Sequence, residues 1–390
     1  MAGCYSPATP LSWSGSVHPL LRSFHLAVLG LAIALPAAAQ SSAEIGALHF
    51  IGAVTVPNDK MVDGTLVGGL SGIDYDPATD LWYLISDDKS DKNPARFYTA
   101  TLAFDKAHLA SVDIGHAVTL LQADGQPYPN AKTDGEVPDP ESIRRDPETG
   151  DLWWTSEGDR KLGLSPFLRV AAPDGKHGAD LPVPKIFTMN KEQEIGPRHN
   201  LGFEGVSFAP DGRSVWLAME SALYQDGPIA TPSTGAMARL TRFDRDRKML
   251  VAQFAYPLDP IQAVPTGKNC DNGISEILAL DDTHALVLER SGVEGADGVW
   301  KMYIRIYAID TAGATDIAAV PSLASANYIP VAKRLVIDLA KTADTGPVDN
   351  IEGMSWGPTL ADGKRSLVLV SDNNFNPTQV TQFLAFEITP

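Results

Sequence analysis

Four glutamates recur at matching places along this chain: Glu141 in DPES, Glu204 in NLGFEG, Glu276 in ISEIL and Glu352 in DNIEG. Each opens a short apolar stretch. A turn follows, then a second apolar stretch, then a polar or acidic end: SEGD, MES, ERS and SDNN. A further copy runs from LSGIDYD to SDD and carries Ser71 in the glutamate's place. Two strands joined by a tight turn run antiparallel, so the start of one and the end of the other share an edge. The acids at the second ends, Asp87, Glu157, Glu220, Glu289 and Asp372, are therefore expected beside the first set. Carboxylates crowded into a narrow space repel one another. Either some hold protons or a cation sits among them. Oxygen ligands suit calcium, and its expected ligands are Glu141, Glu204, Glu276 and Glu352. His199 is the one histidine near these acids, which disfavours zinc. The same acids can instead cap loop N–H groups, and that plainer role stays open.

The repeat also predicts the elements that position these groups. Its starts, Ser71, Glu141, Glu204, Glu276 and Glu352, are 70, 63, 72 and 76 residues apart. Such a period needs more than two strands per unit. Two more are legible after most copies: RFYTATLAF and HAVTLLQ, PFLRVAA and KIFTM, ARLTRFD and MLVAQFAYP, MYIRIYAID and KRLVIDLA. The last copy has one, TQFLAFEI, and a spare strand stands at the other end of the chain, ALHFIGAVTVP. The expected fold is all-β: a β-propeller of five four-stranded blades, closed by pairing of the N- and C-terminal strands. Six blades is the alternative count, with the loop before the fourth copy or residues 291–331 as the place for more structure. A row of β-sandwich domains is the rival fold, but nothing between the repeats reads as a linker.

Basic residues reach the same rim: Arg198, Lys268, Arg290, and Arg144 or Arg160. Arg198 and Arg290 stand next to repeat acids. Salt bridging explains them plainly; an oxyanion clamp is the sharper reading, because guanidinium matches phosphate geometry. Trp82, Trp153, Trp154 and Trp216 fall inside second strands and are expected in the core. The chain has no H-E-x-x-H and no Walker loop. Cys270 would need His199 as its partner to act as a nucleophile, and nothing else supports that chemistry.

The net charge of −17 argues against non-specific nucleic-acid binding. Leu26–Leu35 is a short apolar run preceded by Arg22 and followed by Pro36 and Ala37–Ala39. That pattern describes a secretory signal peptide over residues 1–39, cleaved near Ala39, with a propeller domain over residues 40–390. No run is long enough to span a membrane. The exported chain, secreted or periplasmic, keeps one cysteine, Cys270, so no disulfide framework is available. A monomer is expected.

DPESI, NLGFEG, DNIEGMSW and the closing LVLVSDNNFNPTQVTQFLAFEI together resemble the phytase-like family, also described as having esterase-like activity. The resemblance spans roughly Gly46 to Pro390. It implies hydrolysis of a small-molecule phosphate ester supported by acidic residues and calcium. On that reading Glu204, Glu352, Arg198 and Arg290 are the expected catalytic residues. Two alternatives stay open: a non-catalytic ligand- or protein-binding propeller with a structural calcium, and a lactonase-type esterase.

Overall fold

The Asp-Pro and Asp-Gly turns of the sequence are closed by their own aspartates. Asp146 Oδ1 accepts the N–H of Glu148 at 2.8 Å and of Thr149 at 3.2 Å. Asp211 does the same for Arg213 and Ser214, and Asp281 for Thr283 and His284. A side chain that mimics a backbone turn fixes where each hairpin reverses. The strands on either side then pair in a set register.

This computed structural model describes residues 45–133 and 135–389, and the expected signal peptide lies outside them. Five four-stranded antiparallel sheets make up the fold. The first blade is Leu70–Asp76, Leu81–Ser86, Arg96–Phe104 and Leu109–Thr119. The second is Pro140–Arg145, Leu152–Ser156, Phe167–Ala171 and His177–Leu181. The third is Phe203–Phe208, Ser214–Met219, Ala236–Asp244 and Met249–Leu258. The fourth is Cys270–Ala279, His284–Glu294, Trp300–Asp310 and Ala332–Asp338. The fifth takes Asn350–Trp356, Ser366–Asp372 and Thr381–Thr389 from the end of the chain and Ala47–Val56 from its start. Ala47 lies opposite Thr389 and Val56 opposite Thr381. The first strands of all five blades pack beside one another in a closed ring, the fifth against the first. The fold is a five-bladed β-propeller. Among the described residues no helix is long and apolar enough to cross a membrane.

Two expectations change. KIFTM was expected as the outer strand of the second blade, but Lys185–Phe187 is a turn of 3-10 helix and the outer strand is His177–Leu181. Pro182 and Pro184 stand just before the segment, and proline cannot donate to a strand ladder. The stretch 311–331 supplies no sixth blade. Ile317 donates its N–H to the Gln253 carbonyl and Val331 to that of Ala255, while Ile317 and Leu323 pack on Ala255. The segment thus covers the outer edge of the third blade, an edge that would otherwise be open to pairing with another chain.

The core lies between neighbouring sheets. Trp82, Trp154 and Trp216 are each 2% exposed or less, as expected of core residues. Trp153 meets Phe208 of the next blade edge-to-face, with ring centroids 5.1 Å apart. Burial of such a side chain contributes roughly 1.5–3 kcal/mol.

One polar cluster ties the blades together near the ring axis. Arg144 of the second blade donates to the carbonyls of Ile73 in the first at 2.5 Å and Met354 in the fifth at 2.9 Å. Its guanidinium meets Glu276 of the fourth blade at 2.8 Å. Ser142 donates to the same carboxylate at 3.0 Å and accepts the Val206 N–H of the third blade at 3.2 Å. All five blades are joined through these three side chains. Arg144 and Glu276 are 2% and 0% exposed, so removing one strands the other's charge. Arg144→Met should cost roughly 3–5 kcal/mol of stability, and Glu276→Gln in the same chain should restore part of it. Denaturant unfolding of the three variants checks this; a loss below about 1 kcal/mol for Arg144→Met would remove the cluster's structural role.

Candidate functional site

Every blade carries a β-bulge at the same point of its first strand. Leu70, Pro140, Phe203, Ile274 and Ile351 lie opposite Ser86, Ser156, Met219, Glu289 and Ser371, and the register slips just after each. A bulge re-aims the extra residue and bends the strand. The residues that follow those partners in sequence are therefore structurally equivalent. On the first strands they are Ser71, Glu141, Glu204, Ser275 and Glu352. After the second-strand partners they are Asp87, Glu157, Glu220, Arg290 and Asp372. The glycine after the acid has its own reason. A Cβ on Gly205 would lie 2.5 Å from the Ile277 nitrogen of the next blade.

The fourth blade thus departs from the expected alignment by one residue on both strands. Ser275, not Glu276, holds the glutamate position, and Arg290, not Glu289, holds the acid position. Shifting a strand residue by one place turns its side chain to the other face. Glu276 accordingly points to Arg144 and Ser142, also accepts the Ile277 N–H at 2.9 Å, and is absent from the mouth. Glu289 turns into its own blade, where it meets the Tyr256 hydroxyl at 2.7 Å and the Lys333 ammonium at 2.5 Å.

The remaining equivalents converge on a cavity of about 460 Å³ at the mouth of the ring. Asp87, Asp139, Glu141, Glu204, Glu220, Asp271, Glu352 and Asp372 line it, with Lys89 and Arg290 as its cations. Together with the buried Glu157, these acids form two carboxylate triads: Asp139, Glu141 and Glu157, and Glu157, Glu204 and Glu220. In each, one oxygen per residue lies within 4.8 Å of the others, and Glu157 belongs to both. Of the four expected ligands, Glu141 and Glu204 enter these triads. Glu352 stands across the mouth, where it accepts from Asn350 Nδ2 at 2.9 Å and faces Arg290 Nε at 3.5 Å.

Burial raises the pKa of every member of the two triads; neighbouring acids add to the rise for Glu141, Glu157, Glu204 and Glu220, whereas Lys89 opposes it for Asp139. Glu204 is pushed well above its ordinary value by burial and by Glu220, Glu157 and Glu352. Glu141 is raised likewise by burial and by Glu204, Asp139 and Glu157. Burial opposes the charge on Arg290, but Asp271, Glu352, Glu220 and Glu204 outweigh it and hold the group ionised. Its contacts are spread over three acids at 3.3–3.5 Å, none of them bidentate.

The donor set fits a hard cation. All triad ligands are carboxylate oxygens, and among the described residues no histidine or cysteine lines the mouth. Asp139 is 2% exposed, and its Oδ1 finds no hydrogen-bond donor among the described residues, while Oδ2 faces Lys89. A buried oxygen without a donor is expensive, and a metal ion satisfies it. These buried acidic clusters can hold a metal ion.

Other expected rim residues lie elsewhere. Arg198 does not line the mouth. It donates to the carbonyls of Ala222 at 3.1 Å and Gly227 at 2.8 Å and stacks on Tyr224, holding a loop of the third blade. Arg160 clamps the carbonyls of Ile195 and Pro197 in the loop before that blade. Asp87, Lys89, Asp139, Glu157, Glu220, Asp271 and Asp372 are charged site residues outside the expected ligand and catalytic sets. A signal for the fourth blade was available: Ser71–Asp87, Glu141–Glu157 and Glu204–Glu220 each span 16 residues, whereas Glu276–Glu289 spans 13.

The acid cluster makes the cation-free protein pH-sensitive. Glu220 is pushed up to about 8, first by burial, with Asp271 and Glu352 adding and Arg290 opposing. An acid whose folded pKa exceeds its unfolded value binds more protons when folded. Its stability contribution is present at low pH and is lost as pH rises from the ordinary carboxylate value to about 8. In EDTA, the melting temperature of the wild type should fall more between pH 5 and pH 8 than that of Glu220→Gln, and calcium should narrow the difference. Equal pH slopes for the two proteins in EDTA would refute this.

No curated protein sequence matches the chain. Solved structures that resemble it include a mannose phosphorylase from Leishmania mexicana, 9% identical, with a TM-score of 0.42 over 87% of this chain and 88% of that one. A gluconolactonase from Xanthomonas campestris is 12% identical, with a TM-score of 0.34 over 90% and 94%. At these scores neither likeness bears on the chemistry. The family model described as "Phytase-like: Esterase-like activity of phytase" matches residues 65–375. That span takes in both triads, Arg290 and the asparagines after Asp372, and the chain belongs to the phytase-like family.

Proposed function

We propose that this chain is an exported hydrolase of phosphate esters, dependent on calcium and acting at the acidic mouth of the propeller. The observation that carries the proposal is the pair of carboxylate triads sharing Glu157, with the donorless Asp139 oxygen at one end and Arg290 close by. Asp139, Glu141, Glu157, Glu204 and Glu220 would hold the cations. Bound there, calcium would polarise the phosphoryl oxygens and lower the pKa of a water.

The chain's own groups supply the rest. Arg290 sits in the acid ring with its donors only loosely engaged, so it can turn them to phosphoryl oxygens as charge builds there. Lys89, half-buried beside Asp139, offers a second positive charge at the other side of the opening. Glu352 is oriented by Asn350 and is placed to accept a proton from the attacking water. Glu204 stands between the triads and Glu352, and a change there reaches both. Export rests on the signal-peptide pattern of residues 1–39.

A second reading has one observation in its favour. Eight carboxylates against two cations around the mouth suit an uncharged substrate, so a lactone or other carboxylic ester is the alternative. Purified mature protein should release phosphate from mono- or diesters in calcium, lose that activity in EDTA and recover it on re-addition. Glu204→Gln should lower the rate by at least about 100-fold without lowering the melting temperature, since it removes a like charge from a crowded cluster. Lactone hydrolysis without phosphate release would move the assignment to the second reading. No turnover of either, with melting still raised by calcium, would leave a binding propeller.

A further inference from the structure

A second, larger cleft of about 690 Å³ adjoins the acidic mouth. The two share Trp300, Met302, Asn376 and Gln379. Its size falls within the range of about 300–1,000 Å³ usual for small-molecule sites. It opens between the fourth and fifth blades, and the short turns Leu339–Lys341 and Ala343–Thr345 contribute to its lining.

Its chemistry differs sharply from that of the mouth. Three charged residues line it, and each already has a partner. Asp349 accepts the N–H groups of Asn350 at 2.8 Å and Val380 at 2.7 Å. Asp297 accepts the Val299 N–H at 3.1 Å. The Lys301 ammonium lies 5.2 Å from the centre of the Tyr303 ring. The other polar side chains of the lining are the amides of Asn376 and Gln379 and the hydroxyls of Thr342 and Thr378. Asn376 Nδ2 donates to Gln379 Oε1 at 3.3 Å and Gln379 Nε2 to Asp349 at 3.2 Å. An amide nitrogen carries two hydrogens, so each keeps one to give.

Trp300 stands where cleft and mouth meet and is 38% exposed. Its position is fixed by Gly292 on the adjacent strand. A Cβ there would fall 2.9 Å from the indole ring and 2.9 Å from Asp271 Oδ1. The glycine lets the indole lie against the sheet, next to an acid of the mouth.

We infer that this cleft seats the alcohol portion of the substrate, and that this portion is an uncharged, hydroxyl-bearing ring of the carbohydrate class carrying a single ester group. The inference rests on the esterase reading above. Such a ring has an apolar C–H face, which suits Trp300, and a rim of hydroxyls, which suits the amides of Asn376 and Gln379 and the threonine hydroxyls. A single phosphoryl group is then left to enter the mouth. A ring bearing several phosphates fits poorly. With its acids ionised around bound cations, the lining of the mouth carries a net six negative charges, two divalent cations would still leave two, and among the described residues Lys301 is the one cation lining the cleft.

The test compares a hexose 1-phosphate, ethyl phosphate and inositol hexakisphosphate as substrates in calcium, and methyl glucoside as an unreactive probe followed by tryptophan fluorescence. The wild type should prefer the hexose ester over ethyl phosphate by at least tenfold in kcat/KM, and should release phosphate more slowly from the hexakisphosphate. Trp300→Ala should collapse the hexose-to-ethyl ratio through KM, and Trp300→Phe should restore much of it. Methyl glucoside should perturb the fluorescence of the wild type but not of Trp300→Ala. An unchanged ratio in Trp300→Ala, a preference for the hexakisphosphate, or no response to methyl glucoside would overturn the inference. If no ester is hydrolysed while methyl glucoside still binds through Trp300, the cleft stands and the esterase reading fails.

Discussion

The fold depends on how five first strands can approach one axis. Their closeness leaves little room for side chains, and the space is filled by Arg144, Glu276 and Ser142. One guanidinium satisfies backbone carbonyls of the first and fifth blades and a carboxylate of the fourth. A buried ion pair of this kind contributes little net stability against an apolar replacement, but it is specific. Its hydrogen bonds are made only when the blades stand in one angular order around the ring. The latch at the chain termini acts with it. Ala47–Val56 pairs with Thr381–Thr389, so opening the ring means breaking a full ladder as well as the axial cluster.

The same constraint shapes the mouth. With Glu276 drawn down to Arg144, the fourth blade contributes Ser275 and Arg290 where other blades contribute acids. A single register step therefore places one cation in a ring of carboxylates. Four acids, Asp271, Glu352, Glu220 and Glu204, hold that guanidinium charged despite its burial. Arg290 in turn opposes the rise in the pKa of Glu220 and Glu352 on its side of the ring. Asp139, Glu141 and Glu157 lie on the other side, where Lys89 is the nearest positive charge. The asymmetry sets a side of clustered carboxylates next to Lys89 against a side organised around the Arg290 guanidinium.

Much of the architecture was legible because the repeat is periodic and its turns are chemically explicit. Asp146, Asp211 and Asp281 mark their hairpins by residue type alone, and the spare strand at residues 47–57 announced the closing latch. The outer strand of the second blade was misplaced because KIFTM reads as apolar and extended, while the prolines just before it bar a ladder. The site was less legible for a different reason. Motif matching aligned SEIL with FEGV on the glutamate, but pairing register is set by the bulge and by the opposite strand, which are non-local. Asp139 escaped because it belongs to the loop before the strand and becomes a site residue only once Glu157 of the neighbouring strand is beside it. Arg198 and Arg290 were indistinguishable in sequence; Tyr224 and two loop carbonyls draw one away, and the vacancy in the acid ring takes the other.

The plainer role for these acids, capping loop N–H groups, accounts for part of the set. Glu157 Oε1 accepts the Gly202 N–H at 2.9 Å and Asp372 Oδ1 that of Asn374 at 2.7 Å. Glu289, turned into its blade, accepts the Asp259 N–H at 3.2 Å. Capping does not account for Glu141, Glu204 and Asp139. Burial raises the pKa of each, neighbouring acids add to it for Glu141 and Glu204, and no loop N–H answers the Asp139 oxygens among the described residues. A structural role would be served as well by serine, as Ser71 and Ser275 show at equivalent positions of the first and fourth blades. Glu157 instead meets Asp139 and Glu141 in one triad and Glu204 and Glu220 in the other, so carboxylate oxygens converge where burial makes their charge costly. That convergence, rather than the number of acids, distinguishes a cation site from a capped rim.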